Sequence, residues 1–187
     1  MSTRGREVLL GLGANVGGAW GAPADSLARA VRELDRLGIR VRTISRLRRT
    51  APIGPRWQPD FINAAALIET DRGPARLLTD LKRLERAAGR RRGVRWGPRP
   101  LDLDILDFGH CILNWTARPP SIRPRLVLPH PELHRRVFAL EPICEIAPGW
   151  RHPVLGVNAA ALMRRLQHGR LRPRIDGVLP RHYGARS

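Results

Sequence analysis

An α+β fold of the ferredoxin-like kind, in the order βαββαβ, is what this sequence predicts, and three observations predict it. A short apolar run, Val8 to Leu12, ends in glycines as a buried first strand does. Two segments with apolar residues at helical spacing follow, each opened by a proline and stopped by a glycine. The second leads through an arginine block into L-D-L-D-I-L, Leu101 to Leu106, whose alternation marks a packed strand. The expected product is an antiparallel sheet with its helices packed on one face and C-terminal helical additions, the other face being left for loops or a ligand.

The elements follow in order. Pro23 and Asp25 open the first helix, Leu27, Val31 and Leu34 give it one apolar side, and Gly38 stops it. Arg40 to Leu47 alternates and holds β-branched residues, which predicts a half-exposed strand. Ala51 to Pro59 carries three prolines and a glycine and must be a loop. Phe61 to Thr70 is the next strand, and Pro74 begins a helix lined by Leu77, Leu81, Leu84 and Ala88 until Gly89. The aspartate strand comes next, then a proline-rich excursion from Trp115 to Pro124. Glu132 to Ile146 and Asn158 to Gln167 read as further helical pieces. Residues 1–168 are expected to form one domain, and the Arg/Gly/Pro-rich stretch 169–187 to be poorly ordered.

Composition narrows the function. No apolar run approaches the roughly 20 residues that cross a bilayer, and no leader-like segment follows the polar start, so a soluble, cytoplasmic chain is expected. Cys111 and Cys144 lack metal-ligand spacing and are expected to be buried free thiols. The formal net charge is +18, and Lys82 is the single lysine among 34 basic residues. That charge raises nucleic-acid binding as a rival reading, yet the arginines are scattered and no RNP1-type aromatic pattern occurs. A field of this sign concentrates anionic ligands, ATP among them.

The chemistry concentrates in R-W-G-P-R-P-L-D-L-D-I-L, Arg95 to Leu106. In a strand, residues i and i+2 share a face, so Asp102 and Asp104 project together and repel unless a cation sits between them. Hard oxygens at that spacing suit Mg²⁺, which binds through one or two carboxylates plus substrate phosphates. Arg90, Arg91, Arg92, Arg95 and Arg99 supply guanidinium forks for the same phosphates. The usual phosphate loops are absent: Gly11, Gly13 and Gly17 miss the dinucleotide spacing, and no G-K-[ST] exists. If phosphates bind here, arginines and metal must hold them.

Four segments, G-L-G-A-N-V-G (Gly11 to Gly17), R-T-A-P-I-G-P-R-W-Q-P-D-F-I-N-A-A (Arg49 to Ala65), R-W-G-P-R-P-L-D-L-D-I-L and L-P-H-P-E-L-H-R-R-V-F-A-L-E-P (Leu128 to Pro142), together closely resemble the 6-hydroxymethyl-7,8-dihydropterin pyrophosphokinase family over residues 7–156. The resemblance implies transfer of pyrophosphate from ATP to a pterin hydroxymethyl group with release of AMP, in folate biosynthesis. It implies two Mg²⁺ ions on Asp102 and Asp104, with Arg90, Arg99 and either Arg91 or Arg92 gripping the triphosphate and Trp96 seating their loop. It adds Glu85, Arg125, His130 and Arg136 as nucleotide contacts. By the same resemblance Phe61 and Phe138 sandwich the pterin ring, Asn63 bonds its edge, and Thr50, Ala51 and Ile53 surround it. The chain departs from the family pattern at Phe61 for tyrosine, Ala51 for proline, Pro100 for threonine, and in the extra length of Trp115 to Pro124. A monomer is expected, with ATP and a reduced pterin as its partners and nucleic acid not a functional one.

Overall fold

The computed structural model describes residues 5–52, 57–91, 97–115 and 126–168. Ile53, Arg92, Trp96, Arg125, residues 116–124 and the stretch 169–187 lie outside these, so the expectations placed on them do too. The elements run β1 (Arg6–Ala14), α1 (Pro23–Arg36), β2 (Arg40–Ile44), β3 (Arg48–Thr50), β4 (Phe61–Thr70), α2 (Pro74–Ala87), β5 (Asp102–Phe108), α3 (Val137–Ile146) and α4 (Ala159–Gln167). The sheet order is β2-β4-β1-β5, with β3 also on β4, and every pairing is antiparallel. Disregarding β3, that is the predicted ferredoxin-like arrangement.

Period-2 alternation divides the core. Val8, Leu10 and Leu12 of β1, Ala64, Ala66 and Ile68 of β4, and Leu103 and Ile105 of β5 bury one face against Leu27 and Leu34 of α1 and Leu77 and Leu81 of α2. Each fully buried leucine of this set contributes about 1.5–3 kcal/mol of hydrophobic stabilisation. Leu9, Ala65 and Leu106 point the other way, into a second core with Leu140 and Ile143 of α3 and Leu162 of α4. The second face is therefore half covered by helices rather than left to loops.

Three further expectations are corrected. The strand predicted over Arg40 to Leu47 ends at Ile44, and a short strand that was not predicted, β3, follows it, because Ser45 interrupts the ladder: its N–H donates to the Ala65 carbonyl at 2.9 Å, and its Oγ accepts the Ala65 N–H at 3.0 Å. Glu132 to Ile146 is not one helical piece. A 3-10 turn, Leu133–Arg135, is separated from α3 by Arg136 in an extended conformation (φ −113°, ψ 98°). Cys111 and Cys144 are free but only half-buried.

Behind that turn Trp115, His134, Trp150 and His152 pack edge to face, with ring centroids 5.2–5.9 Å apart. His152 is wholly buried, and burial pushes its imidazole down to about 4. Its Nδ1 accepts the N–H groups of Val154 and Leu155, both at 3.3 Å. Among the described residues no helix is long and apolar enough to cross a membrane.

Candidate active site

A cleft opens on the second face, beside the N-terminal end of α3. Its floor follows from register: Gly13 pairs with Asp102 on one side and Asn63 on the other, and Gly11 with Asp104. A Cβ on Gly13 would stand 2.9 Å from Asn63 Oδ1, and one on Gly11 3.2 Å from Leu106. The glycines of G-L-G are thus the bare floor of a cleft between two rows of functional side chains.

At one end, β5 presents Asp102 and Asp104, both lining the cleft. Arg90 Nη1 donates to Asp102 Oδ1 at 2.5 Å, and Arg99 Nη1 donates to the other oxygen. Burial opposes the charged form of Asp102, but Arg99 and then Arg90 outweigh it and hold the carboxyl below its usual range. Arg90 is placed by the end of α2, where Gly89 adopts φ 99° and turns the chain. Arg99 is placed by Asn15, whose side-chain oxygen accepts the Arg99 N–H at 2.7 Å and whose own N–H donates to the Arg99 carbonyl at 3.0 Å. The Asn15 amide also reaches Gln58 and the Pro59 carbonyl, each at 3.1 Å.

Beneath this end lies Glu85. Expected as a nucleotide contact, it is instead 2% exposed and absent from the cleft lining. Its Oε1 accepts the Leu103 N–H at 2.8 Å and pairs with Lys82 at 2.6 Å and Arg90 at 2.7 Å. Burial raises its carboxyl, against the pull of Lys82, the Leu103 N–H and Arg90. Lys82 also donates to the Leu103 carbonyl at 3.1 Å and stands 3.9 Å from Asp104. These two α2 side chains bond the N–H and C=O of Leu103 on the outer edge of β5.

At the other end the walls are aromatic and amide. Thr50, Ala51, Phe61, Asn63, Arg136 and Phe138 line it. Thr50 pairs with Phe61 across the sheet, and Asn63 Nδ2 donates to Thr50 Oγ1 at 2.7 Å. The Arg136 guanidinium lies 5.7 Å from the Phe138 ring centroid. His130, held by its N–H on the Leu106 carbonyl at 2.8 Å, stands near Asp104. Burial pushes its imidazole down, against the carboxylate of Asp104.

The fold therefore gathers Thr50, Ala51, Phe61, Asn63, Arg99, Asp102, Asp104, Arg136 and Phe138 around one cleft, with Arg90 and His130 at its margin. Arg91 is exposed at the end of a described segment. Asn15, Lys82 and the glycine floor have site roles that the sequence reading did not assign. The signals were a polar residue ending a buried strand, and a lone lysine three residues before a glutamate on one helix side. Two carboxylates on one sheet face are the oxygen donors a hard divalent cation takes, and here their charge is met by Arg90 and Arg99 on Asp102 and by Lys82 near Asp104. Among the described residues no third His, Cys, Asp or Glu joins them in a metal-binding group.

The family description "7,8-dihydro-6-hydroxymethylpterin-pyrophosphokinase (HPPK)" matches residues 9–148. A 2-amino-4-hydroxy-6-hydroxymethyldihydropteridine pyrophosphokinase of Haemophilus influenzae is 38% identical, over 74% of this chain and 79% of its own length. One of Pseudomonas aeruginosa is 37% identical, over 79% and 85%. The mitochondrial folate synthesis bifunctional protein of Arabidopsis thaliana is 39% identical over 75% of this chain, which spans 23% of it. Among solved structures, Plasmodium falciparum HPPK-DHPS superposes with a TM-score of 0.63 at 14% identity. That likeness covers 87% of this chain and 44% of the solved one, and concerns the fold alone.

Proposed function

This chain belongs to the 7,8-dihydro-6-hydroxymethylpterin-pyrophosphokinase family, and from that membership we propose which of its groups carry the reaction. It is an ATP-dependent pyrophosphokinase of folate biosynthesis, moving pyrophosphate from ATP to the hydroxymethyl group of the reduced pterin. The RNA-binding alternative finds no support in these relatives.

Asp102 and Asp104 hold two Mg²⁺ ions in this proposal, and when bound these ions supply neutralising charge to the phosphate oxygens. Arg90 and Arg99, joined by Arg91 or Arg92, donate charge-assisted hydrogen bonds to the same phosphates. Trp96, Arg125, His130 and Arg136 complete the nucleotide side, and Glu85 acts through Arg90 and Lys82 rather than by touching ATP. The pterin lies between Phe61 and Phe138, with Asn63 and Thr50 bonding its edge and Ala51 and Ile53 closing around it. No covalent intermediate is needed. Catalysis comes from holding the pterin hydroxyl in line with the β-phosphorus while guanidinium groups stabilise the charge that develops.

The observation that carries this reading is the row Asp102, Gly13, Asn63 across three neighbouring strands. It supports a charged phosphate end and a flat heterocycle end sharing one bare floor. The test is turnover of ATP, Mg²⁺ and the reduced pterin, with AMP rather than ADP as product. Asp102→Asn and Asp104→Asn should each cut AMP release at least a hundredfold without loss of folding. Undiminished turnover in either would remove that carboxylate from the proposal.

A further inference from the structure

We propose that Arg48 is a positioning residue for the pterin: by bridging Glu141 and Glu145 it fixes the stripe of α3 that carries Phe138 relative to Phe61 and Asn63. Arg48 Nε lies 3.1 Å from Glu141 Oε1, and its Nη1 lies 2.7 Å from Glu145 Oε2. The Arg46 N–H adds a third tie, donating to Glu145 Oε1 at 2.9 Å. In the sheet Arg48 pairs with Asn63 and Thr50 with Phe61, so Arg48 stands on the face and in the row of the expected pterin contacts.

The helix supplies the other half. Phe138 and Glu145 are seven residues apart, two turns on nearly the same side, and Glu141 lies between them. Holding Glu141 and Glu145 therefore sets the rotation of α3 about its axis and with it the direction of the Phe138 ring. The apolar contacts under α3, made by Ala139, Leu140 and Ile143, press it against the sheet but are non-directional. Two glutamates at i and i+4 repel one another, and Arg48, set between them, offsets that repulsion. An exposed ion pair contributes little to stability as a rule, which is why the consequence belongs in cleft geometry.

This rests on the reading of Phe61, Asn63 and Phe138 as pterin contacts. Affinity for the reduced pterin is measured by calorimetry with a non-hydrolysable ATP analogue present, beside steady-state kinetics. Arg48→Met is expected to raise the pterin Kd and KM about tenfold, with kcat and the ATP KM moving less than about threefold. Arg48→Lys should recover most of that loss. In a Glu141→Gln/Glu145→Gln background Arg48→Met should add nothing further.

Phe138→Ala separates the two layers of the argument. If it leaves the pterin Kd unchanged, the pterin reading falls and the clamp with it. If it weakens binding while Arg48→Met does not, the clamp alone is wrong. A lowered melting temperature at unchanged pterin Kd, or failure of both Arg48→Met and the double glutamine variant to fold, would make the tie purely structural and overturn the proposal.

Discussion

Glu85 gathers three donors on one buried carboxylate, and its replacement is informative because the chemistry is separable from the volume. Glu85→Gln keeps an acceptor for the Leu103 N–H but removes the nearest anion of Lys82 and leaves Arg90 with Asp102 alone. It should cost about 1–3 kcal/mol of stability and raise the ATP KM, while the pterin Kd stays put. Thermal unfolding and the two KM values check this. His152 gives a pH dependence with a definite sign. Its imidazole, depressed to about 4 from 6.5, stays neutral in the fold while the unfolded chain takes up a proton below about 6.5. Stability is therefore fully present above that value and falls as pH drops toward about 4, by on the order of 3 kcal/mol. Urea unfolding at pH 7 and 4.5 measures the slope, and His152→Gln should flatten it. The sequence exposed Asp102 and Asp104 because their partnership is written at spacing two. It concealed Asn15, whose Arg99 partner lies 84 positions away, and His152, whose burial depends on three other rings.

At the level of elements, β1 serves two layers with alternate residues, and its glycines are where the site face gains room. Gly13→Ala tests this. The added methyl meets the movable Asn63 amide rather than backbone, so the fold should change by less than about 1 kcal/mol. The amide must swing away from Thr50, however, and pterin affinity should drop severalfold with the ATP KM unaltered. Calorimetric titration beside a melting curve decides it. Helix and strand periods made α1, β4 and α2 legible almost to the residue, since proline openings, glycine stops and one-sided leucines agree there. The break between β2 and β3 was not legible. It depends on one serine hydroxyl taking a ladder hydrogen bond from a strand twenty residues away. Nor was the covering of the second face, because α3 carries apolar residues on most sides and offers no single stripe to read.

For the whole molecule the charge of +18 makes a prediction that distinguishes its two substrates. Added salt screens the field felt by an ATP anion but not by an uncharged pterin. Between low and moderate NaCl the ATP KM should climb while the pterin KM stays nearly level; parallel rises would assign the effect to the fold instead. The two rims of the sheet show how so basic a chain keeps its strands to itself. Arg40 and Arg42 lie along β2, where a second copy would bring like charge against like. At the far rim, Lys82 and Glu85 occupy the outward amide and carbonyl of Leu103. The strand bearing the paired acids thus offers intermolecular zipping no free register at its middle. The carboxylate that pairs with Arg90 also helps withhold that strand edge from a second chain.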